Sequence, residues 1–128
     1  MKRLIITIYI SLGLAYGIFA VGWSDIHKGD DAIRQGDYAT ALKEWKPLAE
    51  QGHAQAQGLL GMIYHFGLGV PQDYYKALKW YTLSAEQGFT PSQFELGQFY
   101  HFGDGVLQDY KAAVKWYTLS AEQGEVRA

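Results

Sequence analysis

The segment Gln57–Gly88, QGLLGMIYHFGLGVPQDYYKALKWYTLSAEQG, returns 36 residues later as Gln93–Gly124, QFELGQFYHFGDGVLQDYKAAVKWYTLSAEQG. A fixed period between 20 and 50 residues marks a repeat architecture, in which each unit is one small motif that cannot bury its apolar face alone. The second half of the motif occurs a third time upstream, from Asp37-Tyr38-Ala39-Thr40-Ala41-Leu42 to Ala49-Glu50-Gln51-Gly52. Three units meet the rough minimum for a stack that can close a core.

Inside each copy the spacing is helical. Gln57, Leu60, Gly61, Tyr64 and His65 fall at i, i+3, i+4, i+7 and i+8, one face of a first helix. Tyr74, Ala77, Leu78, Tyr81 and Ala85 do the same for a second. Glycine inside a helix costs about 1 kcal/mol relative to alanine. Gly61 and its equivalent Gly97 are therefore expected where a neighbouring helix comes close. Between the helices, Gly67-Leu68-Gly69-Val70 and Gly103-Asp104-Gly105-Val106 supply turn residues. Asp37, Asp73 and Asp109 stand where an N-cap is needed, and Gly52, Gly88 and Gly124 where a C′ glycine would close the helix. Ser24–Gln35, with Ile26, Ala32 and Ile33 as its apolar positions, is a fainter helix that completes the first pair without the Gly-x-Gly loop. The expected fold class is all-α, an α/α superhelical solenoid of about three antiparallel helix hairpins. Its divisions are residues 23–53, 54–89 and 90–125.

The chain opens differently. Met1-Lys2-Arg3 precedes an uncharged apolar run from Leu4 to Val21, which reads as a cleaved export signal or a retained signal-anchor over residues 1–22. A mature chain starting at Trp23 loses Lys2 and Arg3, so 11 basic residues against 13 acidic become 9 against 13. The net charge falls from −2 to −4, the wrong sign for tracking phosphates, and nucleic acid is excluded as a partner class. Without cysteine, neither disulfides nor thiol chemistry is available. Membrane contact is expected only through residues 4–21, if they are retained.

Several features admit a chemical reading and a structural one. Aromatics at Tyr64, Phe66, Trp80 and Tyr81 recur at fixed slots, as a core would. His65 and His101 are one unit apart, on the order of 10 Å by helix spacing, too far to share a zinc ion held at ~2 Å. The Gly67-Leu68-Gly69 loop follows a helix and lacks the Gly-Lys-Ser/Thr ending of a phosphate cradle. Ser84 and Ser120 have no nucleophile elbow, and Glu50, Glu86 and Glu122 are a full unit apart at helix ends. No cofactor, metal or catalytic set is indicated.

The quoted residues Ala54-x-Ala56, Leu60-Gly61, Tyr64, Gly67-x-Gly69-Val70, Asp73, Ala77, Trp80-Tyr81, Ala85 and Gly88 resemble the Sel1-like repeat, a relative of the tetratricopeptide repeats. The second copy keeps Leu96-Gly97, Tyr100, Gly103-x-Gly105-Val106, Asp109, Ala113, Trp116-Tyr117 and Ala121. It departs at Thr90-Pro91-Ser92, where Pro91 suits the first helical position after a Thr90 cap. The resemblance implies a scaffold for other proteins, often exported and often in the bacterial envelope, and implies no reaction. Some cysteine-rich relatives are linked to β-lactam chemistry, but the paired cysteines on which that depends are missing here.

Comparing the copies with one another adds a site. Their second helices are nearly identical, whereas the first helices differ at Gln55/Pro91, Gly58/Phe94, Leu59/Glu95 and Met62/Gln98. These positions fall at i, i+3, i+4 and i+7, one stripe of a helix. Related solenoids turn first helices toward the concave surface, so the resemblance implies a groove here for another protein or a peptide. Gly58 would admit a ligand backbone and Phe94 would anchor it. The function expected is an exported, non-catalytic interaction module of the envelope. A wall-associated enzyme or peptidoglycan-binding module and a membrane-anchored regulator are the alternatives. After Gly124 only Glu125-Val126-Arg127-Ala128 follow, so self-association through an uncapped last unit is also expected.

Overall fold

The computed structural model describes residues 26–124, which form six helices and no strands among the described residues. The proposed signal or anchor lies outside them. Helix α1 covers residues 26–34. It is followed by α2 (Tyr38–Glu50), α3 (Ala54–Phe66), α4 (Tyr74–Glu86), α5 (Thr90–Phe102) and α6 (Tyr110–Gly124). Consecutive helices pack on each other along the chain, giving a solenoid of hairpins α1–α2, α3–α4 and α5–α6.

Local chemistry sets the boundaries. The Asp37, Asp73 and Asp109 carboxylates accept from the backbone N–H of Thr40, Lys76 and Ala112 at 3.1, 3.0 and 3.1 Å. Each removes one orphan donor from a second helix, a contribution of about 1 kcal/mol. Gly52 and Gly88 close α2 and α4 with φ of 94° and 90°. Gly124 does not repeat this; it stays in α6 outside the left-handed region. α5 is capped by Phe89 without a side-chain bond, Thr90 is its first helical residue and Pro91 its second. The expected Thr90 cap is thus displaced by one residue. Its hydroxyl donates instead to Gln123 Oε1 at 2.6 Å, while Pro91 still occupies a first-turn position whose N–H needs no helical partner.

What joins the helices of a hairpin is a ring laid on a glycine. A Cβ on Gly29, Gly61 or Gly97 would lie 2.0 Å from Trp45, 2.5 Å from Tyr81 or 2.5 Å from Tyr117. In every hairpin an aromatic residue of the second helix therefore fills the gap left by a missing side chain in the first. The expected close approach at Gly61 and Gly97 is present, and Gly29 extends it to the hairpin that lacks the Gly-x-Gly loop. Trp45 is 1% exposed and its indole N–H donates to the Ile26 carbonyl at 3.2 Å, so the faint first helix is held by a buried aromatic.

Between hairpins the seam is polar. Gln57 Nε2 donates to the Ala49 carbonyl at 3.1 Å, and Gln93 Nε2 to the Ala85 carbonyl at 3.3 Å, both buried. Ser84 accepts across the seam from Ser92 and donates within its own hairpin to the Ala54 carbonyl, each at 2.7 Å. Ser84 is thereby committed to structure. Within hairpins α3–α4 and α5–α6, Gln87 and Gln123 donate in turn to the amide oxygens of Gln57 and Gln93. Interior hydrogen bonds contribute only about 1 kcal/mol each, but a register slip would orphan their buried groups at greater cost.

The apolar core lies in two clusters, one around Trp45, Leu60 and Ile63 and the other around Tyr81, Leu96 and Phe99. The repeated aromatics do not all belong to it. Phe66 and Phe102, expected in the core from their fixed slots, are 59% and 64% exposed. They sit at helix ends, stacked on His65 and His101 at 4.4 and 4.6 Å. On α6, Ala113 and Ser120 are buried, whereas Val114 is 62% exposed and Ala121, unlike Ala85, is exposed. No described element covers that outer face.

Gly61→Ala is expected to lower unfolding free energy in urea by on the order of 1–3 kcal/mol, because overpacking against the buried Tyr81 ring outweighs the gain in helix propensity. Gly97→Ala should cost less, since the half-buried Tyr117 ring can move. A stabilising Gly61→Ala would contradict the packing.

Candidate functional site

Between the first helices α3 and α5 a cleft of about 260 Å³ opens, lined by Gln55, Gly58, Leu59 and Met62 from α3 and by Pro91, Ser92 and Glu95 from α5; Phe66, Tyr81 and Phe89 complete its walls. Six of the eight stripe residues come together here. Phe94 does not, because it points to the other side of α5 and packs on Tyr117 with ring centroids 5.6 Å apart. Gln98 is also absent from the lining. Gly58 takes part in a different way from that expected. A Cβ there would meet Ser92 Oγ at 2.7 Å and the Phe89 ring at 3.0 Å, so its missing side chain admits the next unit and not a ligand backbone.

Phe66, Tyr81, Phe89 and Ser92 were not foreseen. Phe66 and Tyr81 are identical in the second copy as Phe102 and Tyr117, so a comparison confined to differing positions passes over them, and Ser92 was noted only as a departure from Ala56. Phe89 carries a signal in retrospect: it replaces His53 at the cap position.

The cleft contains one electrostatic anomaly. Glu95 and Leu59 occupy equivalent slots, and Leu59 packs against the first core cluster. At Glu95 the same kind of position receives a carboxyl group. Its Oε2 is buried without a hydrogen-bond partner. His65 Nδ1 lies 3.7 Å from it, outside hydrogen-bond range. That nitrogen is also 3.4 Å from the Tyr81 hydroxyl. Nδ1 carries either one hydrogen or one lone pair. It can serve Tyr81 or Glu95, never both.

Titration follows burial. Desolvation pushes the Glu95 carboxyl above its ordinary 4.5 and holds His65 below 6.5, with the Asp104 carboxylate partly opposing. Burial and then Glu95 drive the Tyr81 phenol far above its ordinary range, and the same causes raise Tyr117. Although His65 and Glu95 lie within ion-pair distance, both are shifted toward neutrality, so desolvation outweighs their attraction. Among the described residues there is no group of three or more His, Asp or Glu that could hold a metal ion.

A family model for the Sel1 repeat matches residues 54–89 and 90–125. The chain belongs to the Sel1 repeat family. Solved structures of other repeat proteins share its fold. A Sel1 repeat protein from Oxalobacter formigenes is 36% identical with a TM-score of 0.72, over 77% of this chain and 39% of that one. A protective antigen present in uropathogenic Escherichia coli strains, displaying an SLR fold, is 38% identical with a TM-score of 0.71, over 89% of this chain and 24% of that one. The chain therefore spans well under half the length of either. No curated protein matches it. Sel1 repeats are generally non-catalytic protein–protein interaction modules.

Glu95→Gln isolates the buried carboxyl. A carboxyl whose folded-state pKa is raised stabilises the fold fully below its unfolded value of 4.5 and loses that contribution as pH rises through the folded value. Wild-type stability, measured by urea unfolding relative to Glu95→Gln, is therefore expected to fall as pH is raised from 4.5 toward neutrality. A constant difference would show that the carboxyl is solvated. Glu95→Leu, which installs the Leu59 residue type, is expected to be more stable than wild type at neutral pH by about 1 kcal/mol or more.

Proposed function

We propose that this chain is an exported, non-catalytic adaptor of the bacterial envelope, and that the α3–α5 cleft is where it holds a segment of another protein. The observation carrying this reading is Glu95. A stack built only for stability would repeat Leu59 there, and the carboxyl group instead sits partly buried beside an open cleft without a partner. Residues placed against local stability at a concave surface mark sites kept for recognition. Leu59, Met62, Phe66 and Pro91 supply apolar contact around it.

Support for export comes from the sequence. Met1-Lys2-Arg3 and the uncharged Leu4–Val21 run have the composition of a secretion signal or anchor. A cleft of this size suits a peptide or one helix of a partner, which implies modest affinity and regulated engagement. The uncovered face of α6, with Tyr110 61% and Val114 62% exposed, offers a second contact through which copies could associate.

A photoreactive residue placed at Met62 in the full-length chain is expected to crosslink to a discrete envelope protein in living cells. The same residue at Tyr75, which is 74% exposed and outside the cleft, should not. Equal capture from both positions would remove the cleft as the binding surface. Protease added to intact cells and to spheroplasts tests export: digestion only after the outer barrier is breached is expected, and protection in both would place the chain in the cytoplasm.

A further inference from the structure

The cleft has a composition more particular than that of a general apolar groove. Its walls carry Leu59, Met62, Phe66, Phe89 and Pro91, and its one ionisable acid is Glu95. Among the described residues, no lysine or arginine makes an ion pair with that acid; its only such contact is His65 at 3.7 Å. The single His65 Nδ1 already faces the Tyr81 hydroxyl. The site therefore has a carboxyl acceptor and apolar surface together, and no lysine or arginine among its lining residues.

We propose that the cleft binds an arginine or lysine side chain projecting from an otherwise apolar segment of a partner protein, its charged head donating to the Glu95 carboxylate and its aliphatic stem lying on Leu59, Met62 and Phe66. This rests on the adaptor reading above and specifies the chemistry of its partner. Long basic side chains suit such a place because their methylene stems bury against apolar surface while the head stays polar. A charge-assisted hydrogen bond to a partly desolvated carboxylate is stronger than one in water. Charge complementarity selects the occupant: an apolar side chain would fill the walls but leave the acid unpaired, and an acidic one would add a like charge. The net charge of −2 favours the same class of partner.

Selection from a displayed library of random linear peptides, carried out in parallel on the wild-type chain and on Glu95→Leu, tests this. Wild type is expected to enrich peptides with one basic residue among apolar neighbours. Replacing that residue by norleucine in a synthetic peptide should weaken binding at least about tenfold. Glu95→Leu, checked for folding by helical circular dichroism and urea unfolding, should enrich purely apolar peptides. Glu95→Gln, which keeps the shape, should lose most of the preference for the basic residue. Met62→Gln, which borrows the residue of the other copy, should weaken binding of the basic peptide. Peptides selected without a basic residue, or basic peptides that bind Glu95→Leu as well as wild type, would overturn the proposal while leaving the cleft a binding surface. An empty selection on wild type would overturn the adaptor reading and the proposal together. A synthetic tail peptide of residues 121–128, which contains Arg127, binding as tightly as the best selected sequence would overturn the partner assignment in favour of a second copy of this chain.

Discussion

Everything in this solenoid depends on an aromatic ring seated on a glycine. Gly29 under Trp45, Gly61 under Tyr81 and Gly97 under Tyr117 are the same contact made three times. It sets the distance between the two helices of each hairpin, and through that distance the surface each hairpin offers to the next. The glycines lower helix propensity by about 1 kcal/mol each, and buried aromatic area of the order of 150–250 Å² returns more than that. Tyr81 shows how the scaffold leads to the site: the ring that locks α4 to α3 presents its hydroxyl to His65 and its edge to the cleft.

The polar seam has a different task. Apolar faces of similar helices can slide past one another with little penalty, whereas Gln57 on Ala49 and Gln93 on Ala85 permit only one register. With Ser84 and Ser92 they make the inter-unit contact specific in a protein whose repeats are otherwise interchangeable. Gly69 and Gly105 contribute to the same alignment. Their φ angles of 71° and 69° are combined with a place where a Cβ would touch Tyr38 or Tyr74 at 2.7 or 2.8 Å, so each inter-helix loop presses on the unit before it.

Most of this fold was legible in the sequence because duplication had printed it twice. A helix face, a cap or a C′ glycine that recurs at 36 residues is difficult to mistake, and Asp37, Asp73, Asp109, Gly61 and Gly97 all act in the expected way. Illegible features were those in which position along the stack matters. Phe66 and Phe102 share a slot with core aromatics in periodicity but lie at helix ends, largely exposed and stacked on His65 and His101. Gly124 occupies the place of Gly88 without its conformation. Periodicity also could not say that Gly58 faces Ser92 and Phe89, or that Phe94 turns to Tyr117, since both depend on how far α5 is rotated against α3. The differing stripe led to the cleft through Leu59, Met62, Pro91 and Glu95. The acid's lack of a partner became visible only once His65 and Tyr81 were placed beside it.

The buried side-chain bonds share a direction. Trp45 reaches back to Ile26, Gln57 to Ala49, Ser92 to Ser84 and Gln93 to Ala85, so in each case the donor finds an acceptor that precedes it in the chain. Each of the three bonds between units spans only eight residues of sequence, so the register of one unit on the next is fixed by contacts nearly local in the chain, and the loop-closure entropy of forming them stays small.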